Sequence, residues 1–143
     1  MRHHPKDVGD RSTFAIMHAL RLEGFAILVP FGENTRYDLV TDDGRQLRRV
    51  QCKTGRLRDG AVTFAVCSSY AHHPHPKVIH RSYHGEVDDF AVFCPELGAV
   101  YLIPIDDLEP KRAAALRVDP PRNGQHEGVR LAARYEIARI EVY

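Results

Sequence analysis

Two short segments of this chain carry side chains whose types and spacing suit phosphodiester chemistry: Tyr37-Asp38-Leu39-Val40 and Arg49-Val50-Gln51-Cys52-Lys53-Thr54-Gly55. They read as neighbouring strands joined by a tight turn. Residues i and i+2 of a strand share a face, so Gln51 and Lys53 emerge side by side with Arg49, while Val50, Cys52 and Thr54 face the other way. An antiparallel partner then sets Asp38 beside them. A carboxylate, a second oxygen ligand and an ammonium on one patch of sheet are what metal-assisted hydrolysis of a phosphodiester requires.

The flanking sequence supplies the elements that must position this patch. Residues 1–8 read as a flexible tail. Asp10 or Ser12 is the expected cap of a helix running to about Glu23, with Phe14, Ile16, Met17, Ala19 and Leu20 on a broad apolar face and Gly24 as its end. Strands are expected over Phe25–Val29, Tyr37–Thr41, Gln46–Thr54 and Ala61–Val66. Asp42-Asp43-Gly44 and Arg58-Asp59-Gly60 are the turn signals between them. Residues 67–85 read as irregular. A second apolar hairpin, Phe90–Cys94 and Val100–Ile103, is followed by a helical turn over Ile105–Glu109, and a last strand is expected at Ile140–Tyr143. Helix, strands and a more variable second half predict one α/β or α+β domain with a mixed central sheet.

Composition narrows the class. With 143 residues, 43% hydrophobic and 27% charged, the chain suits a single globular domain able to bury a sizeable core. No apolar run reaches the roughly 18 residues a membrane span needs, and the polar, His-rich start is not a signal peptide. Cys52, Cys67 and Cys94 are odd in number and lack C-x-x-C spacing, which points to reduced thiols in a cytoplasmic protein rather than disulfides or a zinc site. The net charge of +1 hides segregation. Arg45 to Arg58 holds six basic residues and no acid, whereas Glu86 to Glu109 holds seven acids and no Lys or Arg. The first run suits a polyanion, and the second suits solvent or a basic partner.

With this order of elements, the chain resembles the PD-(D/E)XK nuclease superfamily. Arg36-Tyr37-Asp38-Leu39-Val40 and Arg49 to Arg56 look like the group I intron-associated homing endonucleases of that class, which carry Gln where most relatives carry Glu or Asp. The archaeal Holliday junction resolvases are similar in layout. The resemblance spans roughly residues 9–105 and includes Ser68-Ser69-Tyr70, Tyr83-His84-Gly85-Glu86 and Val100-Tyr101-Leu102-Ile103-Pro104. It implies a restriction-endonuclease-like core, a mixed sheet flanked by helices. Asp38 would be the essential metal-binding carboxylate. Gln51 would join it through its amide oxygen and Cys52 through its backbone carbonyl, with the Cys52 side chain packed inward. Lys53 would orient or help deprotonate the attacking water and steady the phosphorane charge. Such hard oxygen ligands suit Mg²⁺ or Mn²⁺. One position departs from the pattern: where relatives place a Glu on the first helix this chain has Thr13, which leaves Asp38 as the only evident carboxylate of the site. Asp10 and Glu33 are the nearest substitutes.

Further residues are candidates for DNA contact. Arg49, Arg56 and Arg58 lie on or just after the Gln-x-Lys strand, where a substrate backbone would run, and such cations make binding steeply salt-dependent. Ser68 and Ser69 offer hydroxyl contacts or simply cap a loop. Arg122, Asn123 and Gln125, with Arg130, are either base-reading side chains or an ordinary surface loop. The run His72-His73-Pro74-His75, with His80, has donors for a transition metal but not the spacing of a preformed site. Asp88-Asp89 reads as a second carboxylate pair or as the polar entry to a strand.

The expectation is a metal-dependent DNA endonuclease, forming a homodimer or homotetramer because cutting both strands takes two active sites, with Phe90–Ile103 helping to build the interface. The alternatives are a non-catalytic DNA-binding protein that kept the nuclease fold, and an assembly subunit meeting a basic partner through Glu86–Glu109.

Overall fold

The structure is a computed structural model describing residues 4–32, 34–71, 78–119 and 128–141. Its one long helix among them, α1 (Pro5–Leu22), starts earlier than the cap signals at Asp10 and Ser12 predict. Pro5 brings a preset φ and no N–H to the first turn, and the His4 imidazole accepts the Lys6 N–H at 3.2 Å. Asp7 in the first turn and Arg21 in the last complement the helix dipole. Ser12, Ala15, Ile16, Ala19 and Leu20 form the buried stripe. Phe14 falls on the opposite side at 100° per residue and is 73% exposed, so the apolar face is narrower than expected.

The strands are β1 (Ala26–Leu28), β2 (Leu39–Asp42), β3 (Leu47–Thr54), β4 (Arg56–Arg58), β5 (Ala61–Ala65), β6 (Cys67–Ala71), β7 (Val78–Ser82), β8 (Asp89–Cys94), β9 (Ala99–Pro104), β10 (Ala113–Arg117) and β11 (Glu136–Arg139). A six-stranded sheet runs β1-β2-β3-β8-β9-β11, and only its β3–β8 pair is parallel. The helix covers one face through Ile16 and Leu20 against Leu39, Val50, Ala91, Phe93 and Val100. A second sheet, β10-β5-β4, covers the other through Val62, Phe64 and Leu116 against Phe90, Val92 and Ile103. The expected mixed central sheet is present, but among the described residues a helix flanks it on one side only. Every residue of β8 is buried, as its uninterrupted apolar run requires of a strand covered on both faces.

A parallel pair needs a long crossover, usually helical. Here the chain between β3 and β8 supplies two strands of the second sheet, β4 and β5, and a separate two-stranded ribbon, β6–β7. Cys67–Ala71 and Val78–Ser82 are thus more regular than their sequence implies. Among the described residues the last strand is Glu136–Arg139, and Val142 and Tyr143 of the strand expected at Ile140–Tyr143 lie outside them. The apolar side chains expected to help Phe90–Ile103 build an interface are not available for one: Phe90, Val92, Cys94, Val100 and Ile103 are fully buried in the chain's own core.

Gly55 turns the chain from β3 into β4, its N–H donating to the Phe93 carbonyl at 2.8 Å. A Cβ there would lie 2.6 Å from Val62 Cγ1 and 2.8 Å from Val92 Cγ1. Both neighbours are fully buried β-branched side chains with little rotamer freedom. Gly55→Ala is therefore expected to cost about 1–3 kcal/mol, measured by urea unfolding; an unchanged midpoint would contradict this packing.

Candidate active site

The site begins where the β2–β3 ladder runs out. Leu39 pairs with Val50, and one residue earlier the Asp38 N–H still donates to the Val50 carbonyl at 2.9 Å. The Asp38 side chain then continues the ladder: its Oδ2 accepts the Cys52 N–H at 2.8 Å. Continuing the register sets Asp38 opposite Gln51, and cross-strand neighbours share a face. Because the N–H and C=O of one strand residue leave on the same edge, the Cys52 carbonyl also emerges beside Asp38, past the end of β2.

The two faces of β3 divide as expected. Val50 and Cys52 join the helix-side core, and the Thr54 hydroxyl bonds to that of Ser12 on α1. On the other face Lys53 Nζ donates to the Tyr83 hydroxyl at 3.4 Å and lies 4.9 Å from the Tyr83 ring centroid. Asp38 is open to solvent as a residue, yet desolvation of its carboxyl pushes its pKa above the ordinary 3.8, against the Cys52 N–H and the Lys53 charge, which favour ionisation. Burial, then the Asp38 charge, push the Cys52 thiol far up, so its sulfur stays protonated and inert; a hydrogen bond with Thr13 opposes them. Thr13, which also donates to the Gly9 carbonyl at 3.0 Å, therefore faces the active strand from the helix.

The remaining candidates are distributed unevenly. Arg49 is tied back to Asp88 at 3.3 Å and to the Gly85 carbonyl, with part of its side chain exposed. Arg56 reaches Glu96 at 3.7 Å on the surface, and Arg58 is exposed at the β4–β5 turn. Ser68 accepts from Arg36 at 2.7 Å and donates to the Arg81 carbonyl. Ser69 lies in β6, paired with His80 of β7. Arg122, Asn123, Gln125, Glu33, His72, His73 and His75 lie outside the described residues. Asp88-Asp89 is a strand entry whose carboxylates are held by arginines: Asp89 takes two bonds from Arg48 at 2.7 and 2.8 Å, and Asp88 takes the Arg49 N–H at 2.8 Å. Burial works against ionisation of Asp88, but Arg49 outweighs it and holds the pKa low.

Arg36 and Tyr83 lie at the site although sequence reasoning gave neither a role. The Arg36 guanidinium sits 4.0 Å from the Tyr83 ring centroid and donates to Glu86, to Ser68 and, at 3.0 Å, to the Ser82 carbonyl. Arg81 and Arg36 together hold the Glu86 carboxyl below its usual range. The only available signal was that Arg36 and the Tyr83–Glu86 segment belong to the stretches that looked like homing endonucleases.

A curled mixed sheet with a carboxylate at the end of one strand and a Gln-x-Lys on the next defines a nuclease-type site. The chain belongs to the PD-(D/E)XK endonuclease family, whose model matches residues 3–138. Its fold is that of the bacterial homing endonuclease I-Ssp6803I, with a TM-score of 0.73 at 23% identity over 94% of this chain and 89% of that one. No curated protein matches it by sequence. No described helix is long and apolar enough to cross a membrane.

Proposed function

We propose that this protein is a divalent-metal-dependent DNA endonuclease that hydrolyses phosphodiester bonds in duplex or branched DNA. The observation that carries the reading is the Asp38 carboxylate fixed by the Cys52 N–H at 2.8 Å, with the β2–β3 register continuing to set it opposite Gln51 and the Lys53 charge near enough to favour its ionisation. The oxygens of Asp38, Gln51 and the Cys52 backbone suit Mg²⁺ or Mn²⁺: all are hard donors, and the Cys52 sulfur is held protonated and turned into the core. Asp38, the Gln51 amide oxygen and the Cys52 carbonyl would hold the ion. When bound, it supplies Lewis-acid polarisation of the scissile phosphate and a more acidic water. Lys53 orients the attacking water and places positive charge where the phosphorane becomes more anionic. The family and the fold support this reading, and the three free thiols support a cytoplasmic setting. Two active sites are needed to cut both strands, so a homodimer or homotetramer is proposed with it.

The test is cleavage of labelled plain duplex, four-way junction, flap and mismatch DNA with Mg²⁺ or Mn²⁺. Metal-dependent cutting is expected, and the preferred substrate distinguishes a sequence-specific endonuclease from a junction resolvase. Arg56→Ala with Arg58→Ala is expected to weaken binding by roughly tenfold or more across sequences and to lower the salt slope by about two. Unchanged affinity and slope in a salt titration would mean that the substrate does not pass β4.

Thr13 favours a second reading. It places a hydroxyl beside the active strand where relatives have a Glu, leaving Asp38 as the site's one carboxylate among the described residues. A non-catalytic DNA-binding protein would follow if calorimetry found no Mg²⁺ or Mn²⁺ uptake that depends on Asp38 while salt-sensitive DNA binding persisted.

A further inference from the structure

The Tyr83 side chain is 5% exposed and packs edge-to-face on Phe90, with ring centroids 5.6 Å apart. A core aromatic needs no more than that. Tyr83 also meets two cations: Lys53 Nζ at 3.4 Å from its hydroxyl, and the Arg36 guanidinium 4.0 Å from its ring centroid. Arg36 is itself anchored by Glu86, the Ser68 hydroxyl and the Ser82 carbonyl. The ring is thus fixed by Phe90 and Arg36, and its oxygen is the one side-chain acceptor of the Lys53 ammonium among the described residues.

A lysine ammonium is a compact charge on a flexible four-carbon stem. Its value in a transition state depends on being in place before charge develops, without reorganisation at the moment of reaction. We propose that Tyr83 is a positioning residue for Lys53: its hydroxyl holds the ammonium on the Asp38 side of β3, and Arg36, from the loop before β2 and tied to the β6–β7 ribbon, braces the ring. This rests on the nuclease reading of the site. It assigns Tyr83 no contact with substrate or metal.

Tyr83→Phe isolates the hydroxyl, since it keeps the ring, the Phe90 contact and the Arg36 stack. Three quantities are read on the full chain: melting temperature, single-turnover cleavage against DNA affinity, and acetylation of Lys53 by a water-soluble ester, quantified by mass spectrometry against Lys6 and Lys111. The expected result is a nearly unchanged melting temperature and DNA affinity. The cleavage rate constant should fall about tenfold, and Lys53 labelling should rise relative to both reference lysines. An unchanged rate constant or unchanged Lys53 labelling in a folded variant overturns the proposal, and a matching loss of affinity and melting temperature would show Tyr83 to be structural only. If the wild type cuts no DNA, the nuclease reading fails by itself, and labelling still reports whether Tyr83 restrains Lys53.

Discussion

Asp38→Asn is expected to abolish cleavage and, at neutral pH, to make the protein more stable. The first effect follows from the site. An amide at position 38 can still accept the Cys52 N–H, so the geometry survives, but the Asp38 carboxylate is gone. Losing the anchor of a bound cation removes several kcal/mol of transition-state stabilisation, a rate loss of about 10³-fold or more. The second effect follows from the raised Asp38 pKa, caused chiefly by desolvation. The native state binds that proton more tightly than the unfolded chain does, so the group's contribution to stability is full below the unfolded value of 3.8 and is lost as pH rises through the folded value. At pH 7 the ionised carboxylate is held at a cost, which asparagine removes. Melting curves at pH 7 should show a higher Tm for Asp38→Asn, and the gap should close in acid as wild-type Asp38 takes up its proton. A lower Tm at pH 7 would mean that the bonds to ionised Asp38 outweigh its desolvation. Such a site trades stability for function.

How far this was legible in the sequence depended on the range of the interaction. Asp42-Asp43-Gly44 and Arg58-Asp59-Gly60 were readable because each turn is made by its own residues: Gly44, Asp59 and Gly60 all take positive φ. The face assignment of β3 was readable because a strand alternates. The start of α1 was misread because a histidine side chain did the work usually done by Asp or Ser at a cap. Phe14 was assigned to the core by its hydrophobicity, whereas the helical angle places it outside.

The meaning of the charge runs was not legible, because it depends on a pairing across nearly forty residues. Arg48 and Arg49 in the basic run lie next to Asp89 and Asp88 in the acidic run, since β3 and β8 are parallel neighbours. Arg56 similarly meets Glu96. Three of the six cations in the basic run thus meet three of the seven acids in the acidic run. The assembly reading loses Asp88, Asp89 and Glu96 from its acidic face, and the DNA reading keeps Arg58, with Arg56 held only by a 3.7 Å surface pair to Glu96. Arg36 and Tyr83 escaped for the same reason: their contacts join the strand entry, the ribbon and β3, and no local pattern encodes that meeting.

Lys53→Ala is expected to lower cleavage by about 10²–10³-fold, the loss that follows removal of one preorganised charge donor from a developing anion. DNA affinity should change little, because one phosphate contact among several contributes modestly to binding at physiological salt. Stability should also change little. Lys53 is half-buried, and its contacts with the Tyr83 hydroxyl and ring are of the cation–π class, about 0.5–1 kcal/mol at partly exposed sites. Arg36 remains to cover the ring. Lys53→Arg should restore little of the rate, since a planar guanidinium cannot place a compact charge at the same point beside Asp38. Single-turnover cleavage, DNA titration and thermal melting on the same variants separate these effects. A drop in rate alone marks Lys53 as acting in the chemical step, whereas a joint loss of binding and Tm would make it a structural lysine and leave Asp38 without its catalytic partner.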